Sequence, residues 1–298
     1  MRQLDYYVVD VFTDRALAGN PLAVVMNTTN LTTGRMQAIA REFNLSETTF
    51  VERRPAEVEQ AEGVRVRIFT TQEELNFAGH PTLGTASVLM LEAPDTMQGD
   101  TISLRLNVGA VPVRFAGQGI FGEMTQPDPE FGAELEPREV ARLTGLEFED
   151  LDPGLPPRIV STGTAFAIVV LRSADALARL NVRQQEAAAW LRVRGARWFY
   201  VLGPPGAPVD RPEPAWRARM QFNGSEDPAT GSAAGCAISY LVARGVVEPD
   251  TRIHLRQGVE MGRPSDLFLS AWRVEPRVTN VRVGGSTVLV ASGRLFLP

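Results

Sequence analysis

The chain contains the sequence FAGHPTLGTA at residues 77–86 and the related sequence EDPATGSAAG at residues 226–235, one in each half. Each stretch places an ionisable side chain and a turn of proline and small residues before an apolar run of helical length, at 85–91 and 233–242. The first turn of a helix has unpaired N–H groups and a partial positive charge, which together favour bound anions. The repetition predicts two related lobes with a cleft between them that holds a carboxylate.

The same two stretches also have a purely structural interpretation. Asp227 and Ser232 could be helix caps, and Gly79 and Gly231 could be residues that allow a turn. Either stretch alone favours this structural interpretation. Their occurrence as a pair, in equivalent places of the two halves, favours a functional one.

Composition excludes several classes of protein. The 298 residues are 44% hydrophobic and 22% charged, which is typical of a folded protein with two domains. The net charge of −5 and the lack of a basic run predict no nucleic-acid partner. The chain has no run of membrane-spanning length, and its start lacks the apolar core of a signal peptide, so we expect no membrane partner and a cytoplasmic location.

The residue types that are rare or missing narrow the chemistry further. All 30 basic residues are arginine, so Schiff-base chemistry, pyridoxal phosphate attachment and a P-loop lysine are excluded. The single cysteine, Cys236, lies in the second apolar run and is expected to be buried, so one chain has no cysteine pair for two-base catalysis. Only two histidines are present, and His254 alternates with aliphatic residues as a strand side chain would. We therefore expect no metal site, and we expect carboxylates and His80 to be the acid–base catalysts.

Hydrophobic periodicity predicts an α+β protein in which many short strands accompany one deeply apolar helix in each half. We predict one lobe over 1–128 and another over 129–298, with the last strand, about 287–298, able to pack back on the first lobe. A proline- and glycine-rich loop is predicted at 203–214. The other predicted strands and helices are strands at 6–12, 22–26, 45–51, 64–70, 101–106, 111–115, 158–161, 165–171, 197–202, 216–222, 252–255, 266–272 and 278–283, and helices at 35–43, 137–143 and 184–191.

Five motifs in order along the chain resemble the PhzF family of phenazine-biosynthesis isomerases. They are GNP at 19–21, NLSETTFV at 44–51, FAGHP at 77–81, EDPATGSAAG at 226–235 and QGVEMGRPS at 257–265. The resemblance implies a diaminopimelate epimerase-like fold, in which two pseudo-symmetric lobes each wrap a curled, mostly antiparallel sheet around a central helix. It also implies a homodimer and no metal or organic cofactor. Where the epimerases have a cysteine in each lobe, this sequence has His80 and Asp227.

The resemblance also implies roles for individual residues. Glu47 matches the central acid–base group, which in the family moves a proton between ring carbons of trans-2,3-dihydro-3-hydroxyanthranilate, a small carboxylated metabolite. By the same resemblance, His80 and Asp227 flank the substrate, and Gly79, Gly231 and Ser232 help to bind it. Burial raises the pKa of a carboxyl group, and a raised pKa suits a carboxyl group that must both accept and donate a proton.

Some positions depart from the family pattern and leave the substrate open. The segment 220–226 is shorter than in the family, and Thr71 and Asn76 replace expected prolines. One alternative function is an amino-acid epimerase or racemase that works without the cysteine pair. Another is a non-catalytic protein that binds a small molecule on the same fold. The presence of Glu47, His80 and Asp227 together favours the isomerase.

Overall fold

The computed structural model describes residues 2–116, 121–205, 216–222 and 224–297. The chain divides into two compact units. Unit 1 consists of Met1–Thr125 and Gly284–Pro298, and unit 2 consists of Gln126–Val283. The lobe limits of 1–128 and 129–298 stay a prediction. Residues 206–214 of the predicted loop lie outside the described residues.

The part of unit 1 that the structure describes has three α-helices, and most of its strands lie before residue 126. The helices are α1 (Thr33–Phe43), α2 (Ala56–Glu62) and α3 (Gly79–Glu92). The strands are β1 (Arg2–Val11), β2 (Asn20–Val25), β3 (Glu47–Glu52), β4 (Val64–Phe69), β5 (Glu74–Leu75), β6 (Thr101–Leu106), β7 (Gly109–Phe115) and β8 (Phe121–Gln126), whose last residue belongs to unit 2.

The described residues of unit 2 form four α-helices, which are α4 (Pro137–Thr144), α5 (Ala174–Arg179), α6 (Gln184–Arg192) and α7 (Gly231–Ala243). Its strands are β9 (Glu130–Glu134), β10 (Arg158–Ser161), β11 (Ala165–Val170), β12 (Trp198–Gly203), β13 (Trp216–Arg219), β14 (Gln221–Phe222), β15 (Ser225–Glu226), β16 (Ile253–Gln257) and β17 (Ser265–Val274). The last strand, β18 (Arg277–Leu297), begins in unit 2 and ends in unit 1, where residues 287–297 pair with β1.

The two units repeat one strand order. In unit 1 the order is β1-β2-β3-β4-β6-β7-β8, with β2–β3 and β4–β6 parallel and the pairs β1–β2, β3–β4, β6–β7 and β7–β8 antiparallel. In unit 2 the order β10-β11-β12-β13-β16-β17 repeats this pattern, with β11–β12 and β13–β16 parallel and the other neighbours antiparallel, and β9 adds an antiparallel neighbour of β10. The prediction of an α+β fold with mostly antiparallel sheets is confirmed.

Each unit buries one helix. In α3 residues 79–89 are all buried, and in α7 residues 231–242 are all buried. Helix α3 packs against β1, β2 and β6, while α7 packs against β10, β11 and β17. A helix that is apolar on all sides is expected to be surrounded by protein, so the prediction of one apolar core helix in each half is confirmed. Both helices begin before the predicted apolar runs, at Gly79 and Gly231, because the turn residues themselves adopt helical backbone conformation.

The C-terminal strands differ from the prediction. The separate strands expected at 278–283 and 287–298 form the single strand β18, so that division is wrong. Gly284 lies within the strand and does not end it. Neighbouring atoms leave no room for a side chain there, because a Cβ would lie 2.9 Å from the carbonyl oxygen of Gly122 and 3.0 Å from the Phe121 ring. Within the described residues, no helix is long and apolar enough to cross a membrane.

Candidate active site

Two of the predicted catalytic residues meet in unit 1. Glu47 is the first residue of β3, and His80 is the second residue of α3. The Oε2 atom of Glu47 lies 3.4 Å from Nε2 of His80, and the two side chains are 13% and 4% exposed. The structure therefore brings a carboxyl group and an imidazole together in a mostly buried setting.

A third side chain in this cluster, Asn20, was given no role by the sequence analysis. Asn20 begins β2, is fully buried, and its Nδ2 lies 3.1 Å from Nδ1 of His80. Because an amide NH₂ can only donate, Nδ1 accepts and the single proton of the neutral ring is carried by Nε2. The three groups form a series in which the protonated ring nitrogen of His80, Nε2, is the one nearest to Glu47.

Burial keeps His80 neutral. Loss of solvent lowers the pKa of His80 from its usual 6.5 to about 3, despite the nearby carboxyl group. The contact with Glu47 is therefore between a neutral N–H and a carboxyl oxygen rather than between two charges. Its length of 3.4 Å exceeds that of an ordinary N–H···O hydrogen bond, so a shift of a few tenths of an ångström would complete one.

Asp227 lies in unit 2, directly after β15, and is 6% exposed. Its Oδ2 is 2.6 Å from Oγ1 of Thr230, which is also buried. The N-cap of α7 is Thr230 rather than Asp227 or Ser232, so the alternative in which these two residues serve as the helix cap is wrong. Asp227 is instead a buried carboxyl group held beside the start of a core helix.

The three predicted substrate-binding residues lie in the first turns of the core helices. Gly79 begins α3, and Gly231 and Ser232 begin α7. Neither N-cap residue, Ala78 or Thr230, makes a side-chain capping hydrogen bond. The N-cap side chains therefore leave the first-turn N–H groups unblocked, as an anion-binding helix start requires. A role for these residues in substrate binding stays a prediction.

The remaining candidates have structural explanations. Cys236 is fully buried in α7, and burial raises the pKa of its thiol to about 12, so a thiolate is disfavoured. His254 is a side chain of β16, as predicted, with Nε2 2.7 Å from Asp266. Among the described residues, no three His, Cys, Asp or Glu side chains come together in a way that could hold a metal ion.

A cavity of about 560 Å³ in unit 2 contains none of the predicted site residues. It lies beside α6 and β12, and its described lining includes no carboxyl group and no imidazole that could transfer a proton. The described lining of this cavity therefore supplies no group for acid–base chemistry. Its polar and aromatic lining consists of Gln184, Gln185, Arg197, Trp198, Phe199, Gln221 and Phe222.

The whole chain is similar to known isomerases. The family model described as "Phenazine biosynthesis-like protein" (PhzC-PhzF) matches residues 9–293. A trans-2,3-dihydro-3-hydroxyanthranilate isomerase of Pseudomonas aeruginosa is 34% identical over 298 residues, covering 98% of this chain and 99% of the relative. The crystal structure of a Bacillus anthracis phenazine biosynthesis protein of the PhzF family superposes with a TM-score of 0.85 at 23% identity, covering all of both chains.

A hydroxyproline epimerase from Agrobacterium vitis shares the fold alone, with a TM-score of 0.63 at 11% identity, over 99% of this chain and 92% of the other. Together these relatives define the class as an isomerase with an epimerase-like fold. The chain belongs to the phenazine biosynthesis-like PhzC-PhzF family.

Proposed function

We propose that the protein isomerises trans-2,3-dihydro-3-hydroxyanthranilate, or a closely similar cyclic carboxylate, by moving one proton between two ring carbons. The P. aeruginosa relative, 34% identical over nearly the whole chain, is named for this reaction. The observation that carries the proposal is the mostly buried pair of Glu47 and His80, with Oε2 and Nε2 separated by 3.4 Å. No metal or organic cofactor enters the proposal.

Glu47 is the proton carrier in this mechanism. Its carboxylate takes a proton from the ring carbon that bears the hydroxyl group, so that a C–H bond breaks and the ring double bonds move. The protonated carboxyl group then gives a proton to a second ring carbon. The product of these two transfers is an enol that becomes a ketone, and the overall composition does not change. One carboxyl group can serve both steps because it is the base in the first and the acid in the second.

His80 assists Glu47 without adding a charge. A neutral N–H group close to Oε2 can orient the carboxylate and stabilise its ionised form. A cationic imidazole would hold the carboxylate in an ion pair and weaken it as a base. The lowered pKa of His80, caused by burial, favours the neutral donor at every pH at which the enzyme would work.

We further propose that Asp227 acts in the same reaction as a second polar group in contact with the substrate. The helix-start N–H groups at Gly79, Gly231 and Ser232 would offset the negative charge of the substrate and of the ring as it loses a proton. A well-placed donor of this kind contributes roughly 3 kcal/mol to stabilisation of a transition state.

The two alternatives are less well supported. An amino-acid epimerase or racemase that works without the cysteine pair is less favoured, because the relative at 34% identity is named as an isomerase of trans-2,3-dihydro-3-hydroxyanthranilate. The hydroxyproline epimerase is similar in fold at only 11% identity. A non-catalytic binding protein would have no need for the series from Asn20 through His80 to Glu47. A cytoplasmic location and a homodimer stay predictions.

The substitution Glu47→Gln tests the proposal. The amide keeps the shape of the side chain but cannot carry the proton, so we expect kcat to fall by about 10²- to 10⁴-fold while the Kd of the substrate changes by less than about threefold. Glu52→Gln, at the other end of the same strand β3, is the matched control and should retain the wild-type kcat. Equal turnover by the two variants would remove Glu47 from the mechanism.

A further inference from the structure

A buried hydrogen-bond network surrounds the turn that carries Asp227. Gln257, the last residue of β16, is fully buried, and its side-chain amide contacts both ends of the turn. Its Nε2 lies 2.8 Å from the carbonyl oxygen of Asp227 and 3.0 Å from Oγ1 of Thr230. Its Oε1 lies 3.1 Å from the backbone nitrogen of Thr230 and 2.9 Å from the hydroxyl of Tyr200.

These four contacts fix the direction of every hydrogen bond in the network. The backbone nitrogen of Thr230 can only donate, so the atom facing it is the oxygen of the Gln257 amide, and Tyr200 must donate to that same oxygen. The Nε2 group therefore donates to the carbonyl oxygen of Asp227 and to Oγ1 of Thr230. The Gln257 amide has all its donors and acceptors in use, so it has one stable orientation.

The direction of these bonds determines where the Thr230 proton points. Because Oγ1 of Thr230 accepts from Gln257, its own proton is left for an acceptor, and Oδ2 of Asp227 lies 2.6 Å away. The Met220 sulfur, at 3.2 Å, is the competing acceptor, but a carboxylate oxygen accepts much more strongly than a thioether. A continuous series of donors thus runs from Gln257 through Thr230 to Asp227.

We propose that Thr230 is a positioning residue for Asp227, and that Gln257 orients the Thr230 hydroxyl so that it donates to the Asp227 carboxylate. The bond holds one carboxylate oxygen and so fixes the plane in which the other oxygen is presented. Tyr200 is fully buried, and burial raises the pKa of its hydroxyl well above 10, so it remains a donor that secures the outer end of the network. A catalytic consequence rests on the function proposed for Asp227.

The test compares Thr230→Val, which keeps the shape of the side chain and removes the hydroxyl, with Thr230→Ser, which restores the hydroxyl. Thr144→Val is the matched control, because Thr144 is another buried threonine of unit 2 but donates to a helix carbonyl, 2.7 Å away at Val140. We expect kcat with trans-2,3-dihydro-3-hydroxyanthranilate to fall about 10- to 100-fold in Thr230→Val, with KM within about threefold of wild type. Thr230→Ser and Thr144→Val should keep kcat within about threefold of wild type.

High-resolution crystal structures of the same variants show the orientation of the Asp227 carboxylate directly, without any substrate. We expect the Asp227 carboxylate to rotate or to occupy two orientations in Thr230→Val and to keep one orientation in Thr230→Ser. If Thr230→Val does not fold, Gln257→Glu is the second variant that tests the hydrogen bond from Thr230 to Asp227. A carboxylate at position 257 would accept the Thr230 proton and turn it away from Asp227, so it should release Asp227 in the same way.

The outcomes separate this inference from the proposed function. An unmoved Asp227 in Thr230→Val overturns the positioning role. So does a loss of kcat no larger than that of Thr144→Val, provided that Asp227→Asn itself lowers kcat. A released Asp227 supports it even if the wild-type protein does not turn over this substrate or Asp227→Asn keeps full activity. In either of those last two cases it is the proposed function that fails.

Discussion

Among single residues, Asn20 decides the chemical state of the site in unit 1. Its amide nitrogen faces Nδ1 of His80 at 3.1 Å, so the ring proton belongs to Nε2, on the side of Glu47. A neutral histidine has two tautomers, and only this one offers Glu47 an N–H group. The role of His80 therefore depends on a residue that has no direct part in the proposed proton transfer.

Asn20→Asp should disrupt this arrangement. A carboxylate at position 20 can accept but not donate, so it favours a proton on Nδ1, and Nε2 then either loses its N–H or belongs to a cationic ring. We expect kcat to fall by at least about tenfold. Asn30→Asp, which makes the same change of charge at an exposed position, should leave kcat unchanged. Steady-state kinetics of the two variants measure the difference, and an equal kcat would contradict the role assigned to Asn20.

His80 should also make the stability of the protein depend on pH. The pKa of His80 is about 3 in the folded protein and 6.5 for a solvent-exposed histidine in the unfolded chain. Between these two pH values the unfolded chain therefore binds a proton that the folded protein does not. Stability is therefore lost as pH falls from 6.5 towards 3, by about 2 kcal/mol by pH 5. Urea denaturation of wild type and His80→Gln at pH 7 and pH 5 tests this. The loss between the two pH values should be about 2 kcal/mol smaller in the variant, and parallel losses would contradict the assignment.

The sequence allowed Glu47 and His80 to be predicted as site residues, but it did not reveal Asn20 as a partner of His80. Asn20 and His80 are 60 positions apart, and the contact forms only because the start of β2 lies beside the start of α3. The GNP motif predicts a turn from its local chemistry, which says nothing about a distant imidazole. Thr230 and Gln257 were missed for the same reason, although a buried polar side chain always needs a partner.

At the level of elements, the close fit of the core helix α3 depends on a glycine. A Cβ on Gly84 would lie 2.7 Å from Cδ2 of Leu22 and 2.7 Å from Cγ2 of Val11, which is closer than real Cβ contacts. The absence of a side chain at this position lets the helix approach β1 and β2. Since His80 lies one turn earlier on the same helix, this packing also fixes the position of His80 relative to Asn20.

Gly84→Ala should therefore destabilise the protein, whereas Gly34→Ala should not. Overpacking at Gly84 is expected to lower the free energy of unfolding by about 1–3 kcal/mol. Gly34 is also helical, in α1, but a Cβ there would meet nothing within 4 Å, so alanine should raise the free energy of unfolding by up to about 1 kcal/mol. Chemical denaturation of both variants measures the two changes, and changes of the same sign and size would contradict this account of the packing.

One helix that the sequence did not predict, α2, lacks an apolar pattern. Helix α2 has the sequence AEVEQAE, which offers no apolar stripe, and its buried residue is Glu59. Glu59 accepts hydrogen bonds from Nε of Arg53 at 3.1 Å and from the backbone nitrogen of Arg54 at 2.7 Å. Polar contacts with the preceding segment therefore position this helix, and hydrophobic periodicity is insensitive to them. The apolar helices α3 and α7, by contrast, could be predicted from their composition.

For the molecule as a whole, the sequence predicted two related halves and a last strand able to pack back on the first lobe, but it did not predict the order of the strands or which strand pairs with the last one. Both units alternate antiparallel and parallel neighbours in the same order around one buried helix. Residues 287–297 of β18 pair with β1, so the sheet of unit 1 uses both ends of the chain. Alternation of side chains indicates that a segment is a strand, but it does not indicate which strand will be its neighbour.

The central claim about the whole protein is that it moves a proton between carbons through Glu47. The most direct measurement is NMR of the product formed from trans-2,3-dihydro-3-hydroxyanthranilate in deuterium oxide, with wild type and Glu47→Gln side by side. We predict that wild type consumes the substrate and places solvent deuterium on a ring carbon of the product, and that Glu47→Gln does neither. Equal consumption and labelling by Glu47→Gln, or deuterium found only at a stereocentre of otherwise unchanged substrate, would contradict the claim.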